Sequence, residues 1–220
     1  MPVHGRSTVY RALTIRPHGA AQLAATRLDQ FNATTNTATS RTVSNSVTPL
    51  ANVWYGIMVS STGSTGTHSL SGWGITWGAA IATAGNLYAF VGRTASPSAG
   101  VLTLTYTGTS TGVAMVATAL QGPVHPTTPI AGTPATASTT GTSGTVSLGS
   151  YTETRSGGLV GYRVTIASGT DVVPESNWEE IGDTAHSNPS NHTAVQFRAD
   201  AGAVNDLTVT ATWDASSVAY

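Results

Sequence analysis

LTLTYTGTSTGVAM (Leu102–Met115) and LTVTATWDASSVAY (Leu207–Tyr220) are two versions of one stretch, set 105 residues apart. Laid over each other without gaps, they share Leu102/Leu207, Thr103/Thr208, Thr105/Thr210, Thr107/Thr212, Val113/Val218 and Ala114/Ala219. In the first version Leu102, Leu104 and Tyr106 alternate with Thr103, Thr105 and Thr107. A period of two puts the first set on the core face of a β-strand and the threonines on the opposite face, where a branched Cβ suits extended backbone. Leu207, Val209 and Ala211 repeat the pattern.

The match extends outward at the same offset. Gly56 falls on Gly161, Val59 on Val164, Trp73 on Trp178, Asn86 on Asn191, Ala89 on Ala194 and Arg93 on Arg198. Over residues 56–115 there are 15 identities in 60 positions, and the matched Trp, Asn and Arg weigh most because those residues are scarce here. Two copies are too few for a solenoid. Further strands are expected at Val53–Ser60 and at Gly85–Arg93, where Leu87, Ala89 and Val91 alternate with Tyr88 and Phe90. Turn formers separate them, among them Ser96-Pro97-Ser98, Ser168-Gly169 and Asp200-Ala201-Gly202. The pattern predicts an all-β chain, a β-sandwich or jelly-roll-like fold of two diverged repeats with an N-terminal arm. The expected divisions are a basic arm at 1–41, a first repeat at 42–122, a Pro/Thr-rich connector at 123–144 and a second repeat at 145–220. Units of this size bury little surface alone, which favours one sandwich with pseudo-two-fold symmetry. Four prolines in Pro123–Thr142 predict an extended connector rather than a strand. Leu23, Leu28 and Phe31 predict one helix, over Ala20–Phe31.

Charge is sparse and sorted. Charged residues make up 9% of the 220, and all nine basic residues are Arg. Residues 1–41 carry five Arg and Asp29; Arg93 is the only charge in 42–152; residues 153–220 carry nine acids and three Arg. The segment sums of +4, +1 and −6 give the net charge of −1. A basic arm and an acidic end predict docking of the arm on an acidic surface, with Arg6, Arg11 and Arg16 as the contact residues. Four net charges over 41 residues, with no accompanying motif, argue against direct nucleic-acid binding. No apolar run approaches the roughly 20 residues that cross a bilayer, so no membrane is expected as a partner. Met1–Ala20 does not read as a signal peptide, and release by lysis is the expected route out of a cell.

The side chains suggest no catalysis. Without cysteine there is no thiol nucleophile, disulfide or Cys-based metal site. Without lysine there is no phosphate-binding GxxxxGK loop, and no serine sits in GxSxG. His4, His18, His68, His125, His186 and His192 lack metal-site spacing, and Asp200, Asn205 and Asp206 lack an EF-hand pattern. Glu179 and Glu180 are adjacent, so an extended strand points them to opposite faces rather than into one acid–base site. No cofactor is expected. Trp73 and Trp178, being repeat-equivalent, are expected as core plugs between sheets. Trp77 and Trp213 are not repeated and are the candidates for stacking on a ligand or an interface. Arg93 and Arg198 are candidates for a pairing made within each copy.

The segments TPLANVWYGIMVSS (Thr48–Ser61), GWGITW (Gly72–Trp77) and NLYAFVGRTASPSAGVLTLTYTGTSTGVAM (Asn86–Met115) resemble the Thr/Ala/Gly-rich β-sandwich virion proteins of tailed bacteriophages. MPVHGRSTV (Met1–Val9) resembles the start of some siphophage tail proteins. The resemblance implies a non-enzymatic structural protein on the virion surface, a capsid decoration or minor tail protein. It would be made in the host cytoplasm, with major capsid or tail proteins and copies of itself as partners. A carbohydrate- or receptor-binding module is the alternative.

Overall fold

The computed structural model describes residues 8–15, 24–42, 45–62, 66–84, 86–122, 124–139, 143–147, 157–165, 172–186, 191–199 and 208–212. The described residues are all-β. The strands in chain order are β1 Thr8–Ile15, β2 Ala24–Thr42, β3 Trp54–Thr62, β4 His68–Ser71, β5 Ala82–Ala84, β6 Leu87–Arg93 and β7 Thr103–Gln121. They continue with β8 Ile130–Thr139, β9 Ser143–Ser147, β10 Gly157–Thr165, β11 Val173–Pro174, β12 Glu179–His186, β13 Asn191–Ala199 and β14 Thr208–Thr212. One sheet has the order β2-β7-β3-β6-β5 with β4 attached to β7, a second β12-β13-β10-β1-β8, and a third β11-β14-β9. Every pairing is antiparallel.

The first sheet is apolar on both faces. From Tyr55 to Ser61 every residue of β3 is buried, the reading of a strand covered on two sides. Tyr55, Ile57, Val59, Tyr88, Phe90, Val113 and Met115 enter a cluster with Leu102, Leu104 and Tyr106. β7 is long enough to serve both walls: Gly112–Leu120 pairs β3, while Thr103–Tyr106 pairs β4 and Thr103–Thr105 pairs the end of β2. The opposite face of the same sheet supplies Met58, Ala89, Val116 and Leu120 to a second cluster with Ile15, Leu159, Ile181, Val195 and Phe197 of the second sheet. The two sheets therefore pack face to face. They approach closely at Gly56, where an added Cβ would lie 2.8 Å from Leu159 Cδ2, and at Gly161, where it would lie 2.8 Å from Met58 Cγ and Sδ.

Three expectations are corrected. Residues 24–31 are the start of β2, not part of a helix, and no helix occurs among the described residues; Ala20 and Leu23 lie outside those residues. The connector contains β8, which pairs β1. Pro134 is tolerated there because β8 is the outer strand of its sheet and its register shifts between Ala131 and Ala135. The segment read as an arm is not detached. β1 lies between β10 and β8, Ile15 is fully buried, and β2 pairs β7 along its length. Backbone ladders on both sides of β1 hold it more firmly than scattered surface charge contacts hold an arm.

Candidate functional site

Two clefts open at the end of the sheets where β2, β3 and β10 begin and β6, β7 and β13 finish. The smaller, about 260 Å³, is built around Trp54 and Arg93, register partners at the end of the β3–β6 ladder. Asn52 turns the chain into β3 with φ of 62°, a left-handed conformation that Asn adopts at less cost than most residues. The Arg93 guanidinium lies 5.9 Å from the centre of the Trp54 ring, a cation–π distance. Its Nη1 donates to the Pro126 carbonyl at 2.9 Å and its Nη2 to Asn52 Oδ1 at 3.3 Å. Trp54 Nε1 donates to the His125 carbonyl at 3.1 Å. Together Trp54 and Arg93 strap the segment around Pro126 across the end of the sheet. His125 Nδ1 accepts the Thr128 amide at 3.1 Å, which rounds the strap into a turn.

The larger cleft, about 420 Å³, is lined by Ala24, Ala25, Asn177, Glu179, Phe197 and Arg198. It is separated from the first by the register pairs Ala24–Gln121 and Ala25–Leu120. Arg93 and Arg198, aligned by the sequence offset, thus each line a cleft at the same end of the molecule. Arg93 is held by Asn52 and Trp54 of the expected first repeat and by the carbonyl of Pro126, in the expected connector.

The expected tryptophan plugs are both buried, Trp73 at 1% exposure and Trp178 at 6%. Trp73 is held by its backbone as much as by its ring. Gly72, Trp73 and Gly74 have φ of 124°, 61° and 68°. At Gly72 an added Cβ would fall 2.2 Å from the Val101 carbonyl oxygen, so only glycine fits. The turn aims Trp73 Nε1 at the Gly100 carbonyl, 3.0 Å away, and brings Tyr55 edge-on at 5.5 Å. Trp77 is half-buried, tilted against Trp73 at 6.3 Å, and its Nε1 donates to the Gly72 carbonyl at 3.2 Å. It packs onto the first core cluster instead of standing free. Trp213 lies outside the described residues, as do Arg6 and Arg16. Arg11 is in β1, opposite Gly161 and Thr136. Trp77 lines neither cleft.

Two further polar groupings lie in or against the core. His68 is stacked on Tyr88 at 3.6 Å; its Nδ1–H donates to the Gly66 carbonyl at 2.8 Å, and its Nε2 accepts from the Ser61 hydroxyl at 3.0 Å. Burial pushes its pKa below 6.5, and the Gly66 contact offsets this in part. His192 Nδ1 lies 3.2 Å from Asp183 Oδ1, and Asp183 Oδ2 accepts the Val172 amide at 3.4 Å. This pair ties residue 172 to the β12–β13 ladder. Among the described residues no three His, Asp or Glu side chains converge as metal ligands. Glu179 and Glu180 are both exposed on β12. The sequence marked Arg93 and Arg198 through the offset. It gave no local sign of Trp54 and Asn52, which gain their roles only when the 126 region is laid across them. No protein family matches the chain, and neither does any curated protein or solved structure.

Proposed function

We propose that the chain is a non-enzymatic structural protein of a tailed-bacteriophage virion, carried on the particle surface as a capsid decoration or minor tail protein. The observation that carries this reading is a strand pairing that recurs at the 105-residue offset. Ser40, Arg41 and Thr42 pair with Thr105, Leu104 and Thr103; Thr145, Val146 and Ser147 pair with Thr210, Val209 and Thr208 in the same register, 105 residues on. β3 pairs β6 as β10 pairs β13, and β4 pairs β7 as β11 pairs β14. We read the chain as two copies of one unit packed back to back across β3 and β10, with approximate two-fold symmetry. Each unit covers its outer side with a smaller group of strands, and Thr and Ser outnumber charged residues in both. Such a body suits repeated contact with a particle lattice, where many weak contacts add up. The test is mass spectrometry of purified particles together with immunogold labelling of intact ones. Recovery of the protein in stoichiometric amount, with label on the outer surface, is expected. Its absence from washed particles would overturn the assignment.

A carbohydrate- or receptor-binding module is the second reading, favoured by the open cleft that sets an aromatic ring beside a guanidinium and an amide at Trp54, Arg93 and Asn52. Binding on a glycan array that is lost in Trp54→Ala would select this reading over the first.

A further inference from the structure

We propose that the slot between β10 and β8 is an acceptor for an extended strand, and that β1 of a second copy of this chain fills it as the chain's own β1 does, joining copies by strand exchange. The inference rests on the two-unit reading and begins from one asymmetry in it. In the first unit, β7 runs unbroken from Thr103 to Gln121. Its early part pairs β4 and the end of β2, and its later part pairs β3. In the second unit, β14 does the work of the early part, pairing β9 and β11. The place beside β10 that corresponds to the later part is taken by β1, from the other end of the sequence.

The correspondence is specific. Thr8 lies opposite Val164 as Met115 lies opposite Val59, and Val164 and Val59 are themselves aligned by the offset. Reading on from that point, Val9, Ala12 and Leu13 stand where Val116, Ala119 and Leu120 stand in the first unit, identical at all three. β1 is the missing half of a strand, present as a separate piece. It is bounded by β10 on one side, from Thr8–Val164 to Ile15–Gly157, and by β8 on the other, from Thr8–Thr139 to Ile15–Ile130.

The next strand after β1 is β2, which belongs to the first sheet, so no strand of the second unit continues directly into β1. The slot holds β1 through backbone ladders on both sides, and these are the same in every copy. Exchange therefore keeps all the contacts of the closed chain and changes only the connection, the general condition for swapping between identical protomers. Connection within one chain favours the closed form in dilute solution. Crowding of copies, as on a lattice, favours exchange once their local concentration approaches the effective concentration of the tethered strand.

The chain has no cysteine, so an engineered pair reports without background. Full-length copies carrying Ala12→Cys are mixed with size-tagged copies carrying Val160→Cys, taken briefly through mild denaturant at high protein concentration, returned to buffer and oxidised. Ala12 and Val160 are register partners. A disulfide between the two kinds of copy should form roughly tenfold above the level for Ala12→Cys with Tyr162→Cys, whose diagonal spacing of about 7–8 Å exceeds easy disulfide reach. The chain carrying both Ala12→Cys and Val160→Cys should oxidise within itself and thereafter fail to exchange. If that chain closes its disulfide but the mixed copies cross-link no better than the shifted pair, exchange is refuted and the two-unit reading stands. If neither forms, β1 is not in the slot, and both fall. Thr8→Cys with Val164→Cys repeats the experiment should the change at Val160 disturb folding, which circular dichroism reads directly.

Discussion

Replacing Gly161 by Ala adds one methyl group at a close approach of the two large sheets. Its carbon would lie 2.8 Å from Met58 Cγ and Sδ and 3.3 Å from Met58 Cβ. Contact between such atoms is comfortable at about 3.5–4.0 Å, so Met58 must move by the better part of an ångström. Met58 is 1% exposed and surrounded by the second core cluster, which leaves its thioether little free volume. Overpacking of this kind costs about 1–3 kcal/mol. Alanine offsets about 0.4–1 kcal/mol by restricting the unfolded chain. The expected net loss is therefore about 1–2 kcal/mol, or roughly 2–8 °C in Tm for a chain of this length. Urea titration followed by tryptophan fluorescence measures it. Gly78→Ala, where the added carbon meets nothing within 4 Å, is the control and should stay within about 0.5 kcal/mol of the parent. Met58→Ala alone should cost about 2–5 kcal/mol. Combined with Gly161→Ala it should cost less than the sum by about 1 kcal/mol, because the smaller side chain makes room for the new methyl. A neutral Gly161→Ala, or a strictly additive pair, would refute the proposed contact between β10 and β3.

Three further outcomes are expected. Trp73→Ala and Trp178→Ala should each lose about 3–5 kcal/mol in chemical denaturation, and a loss below about 1 kcal/mol at both would contradict their burial. Because burial holds the His68 pKa below 6.5, the unfolded chain protonates first on acidification; this part of the stability is present above about pH 6.5 and is lost as pH falls below it. Tm measured from pH 7 to pH 5 should fall less steeply in His68→Phe than in the parent, and equal slopes would sink the assignment. Arg93→Met keeps an aliphatic stem over Trp54 but removes the donors to Pro126 and Asn52, so limited proteolysis within 124–129 should quicken while the core stays folded; an unchanged cleavage rate would show that the strap holds without Arg93.

What the sequence made legible was periodic and short in range. Leu102, Leu104 and Tyr106 were expected in the core, and all three are buried. The two apolar faces of β6 were visible as Leu87 and Ala89 against Tyr88 and Phe90, and the structure shows why both are apolar: Tyr88 and Phe90 enter the first cluster, while Ala89 enters the second. The false helix has a specific cause. Leu28 and Phe31 are three apart, a helical spacing, yet both pack on the first cluster from a strand. The β2–β7 register shifts between Arg27 and Asp29, so Leu28 sits at a bulge that resets the alternation and imitates a helical period. β8 is hidden because proline breaks interior strands but not an outer one, and sequence alone does not show that β8 lies at an edge. The clefts were half visible. The offset singled out Arg93 and Arg198, but the partners of Arg93 at Asn52 and Pro126 come together only in the folded chain.

β1 was illegible for a deeper reason, and it changes the meaning of the charges nearby. Its ladder partners, β8 and β10, come more than a hundred residues later, so no local window contains them. A chain growing from its N-terminus exposes TVYRALTI (Thr8–Ile15) through the whole synthesis of β2 to β7, which pair among themselves. An apolar β-forming segment without a partner is an aggregation hazard, and a charge inside it is a known protection. Arg11 interrupts β1 in its middle. That charge interrupts the apolar run of a strand whose ladder partners are made only after β2 to β7. The same wait bears on the exchange proposed above: between the completion of β10 and the arrival of its own β1, the β1 of a crowded neighbour competes for the place against the advantage of the tethered strand.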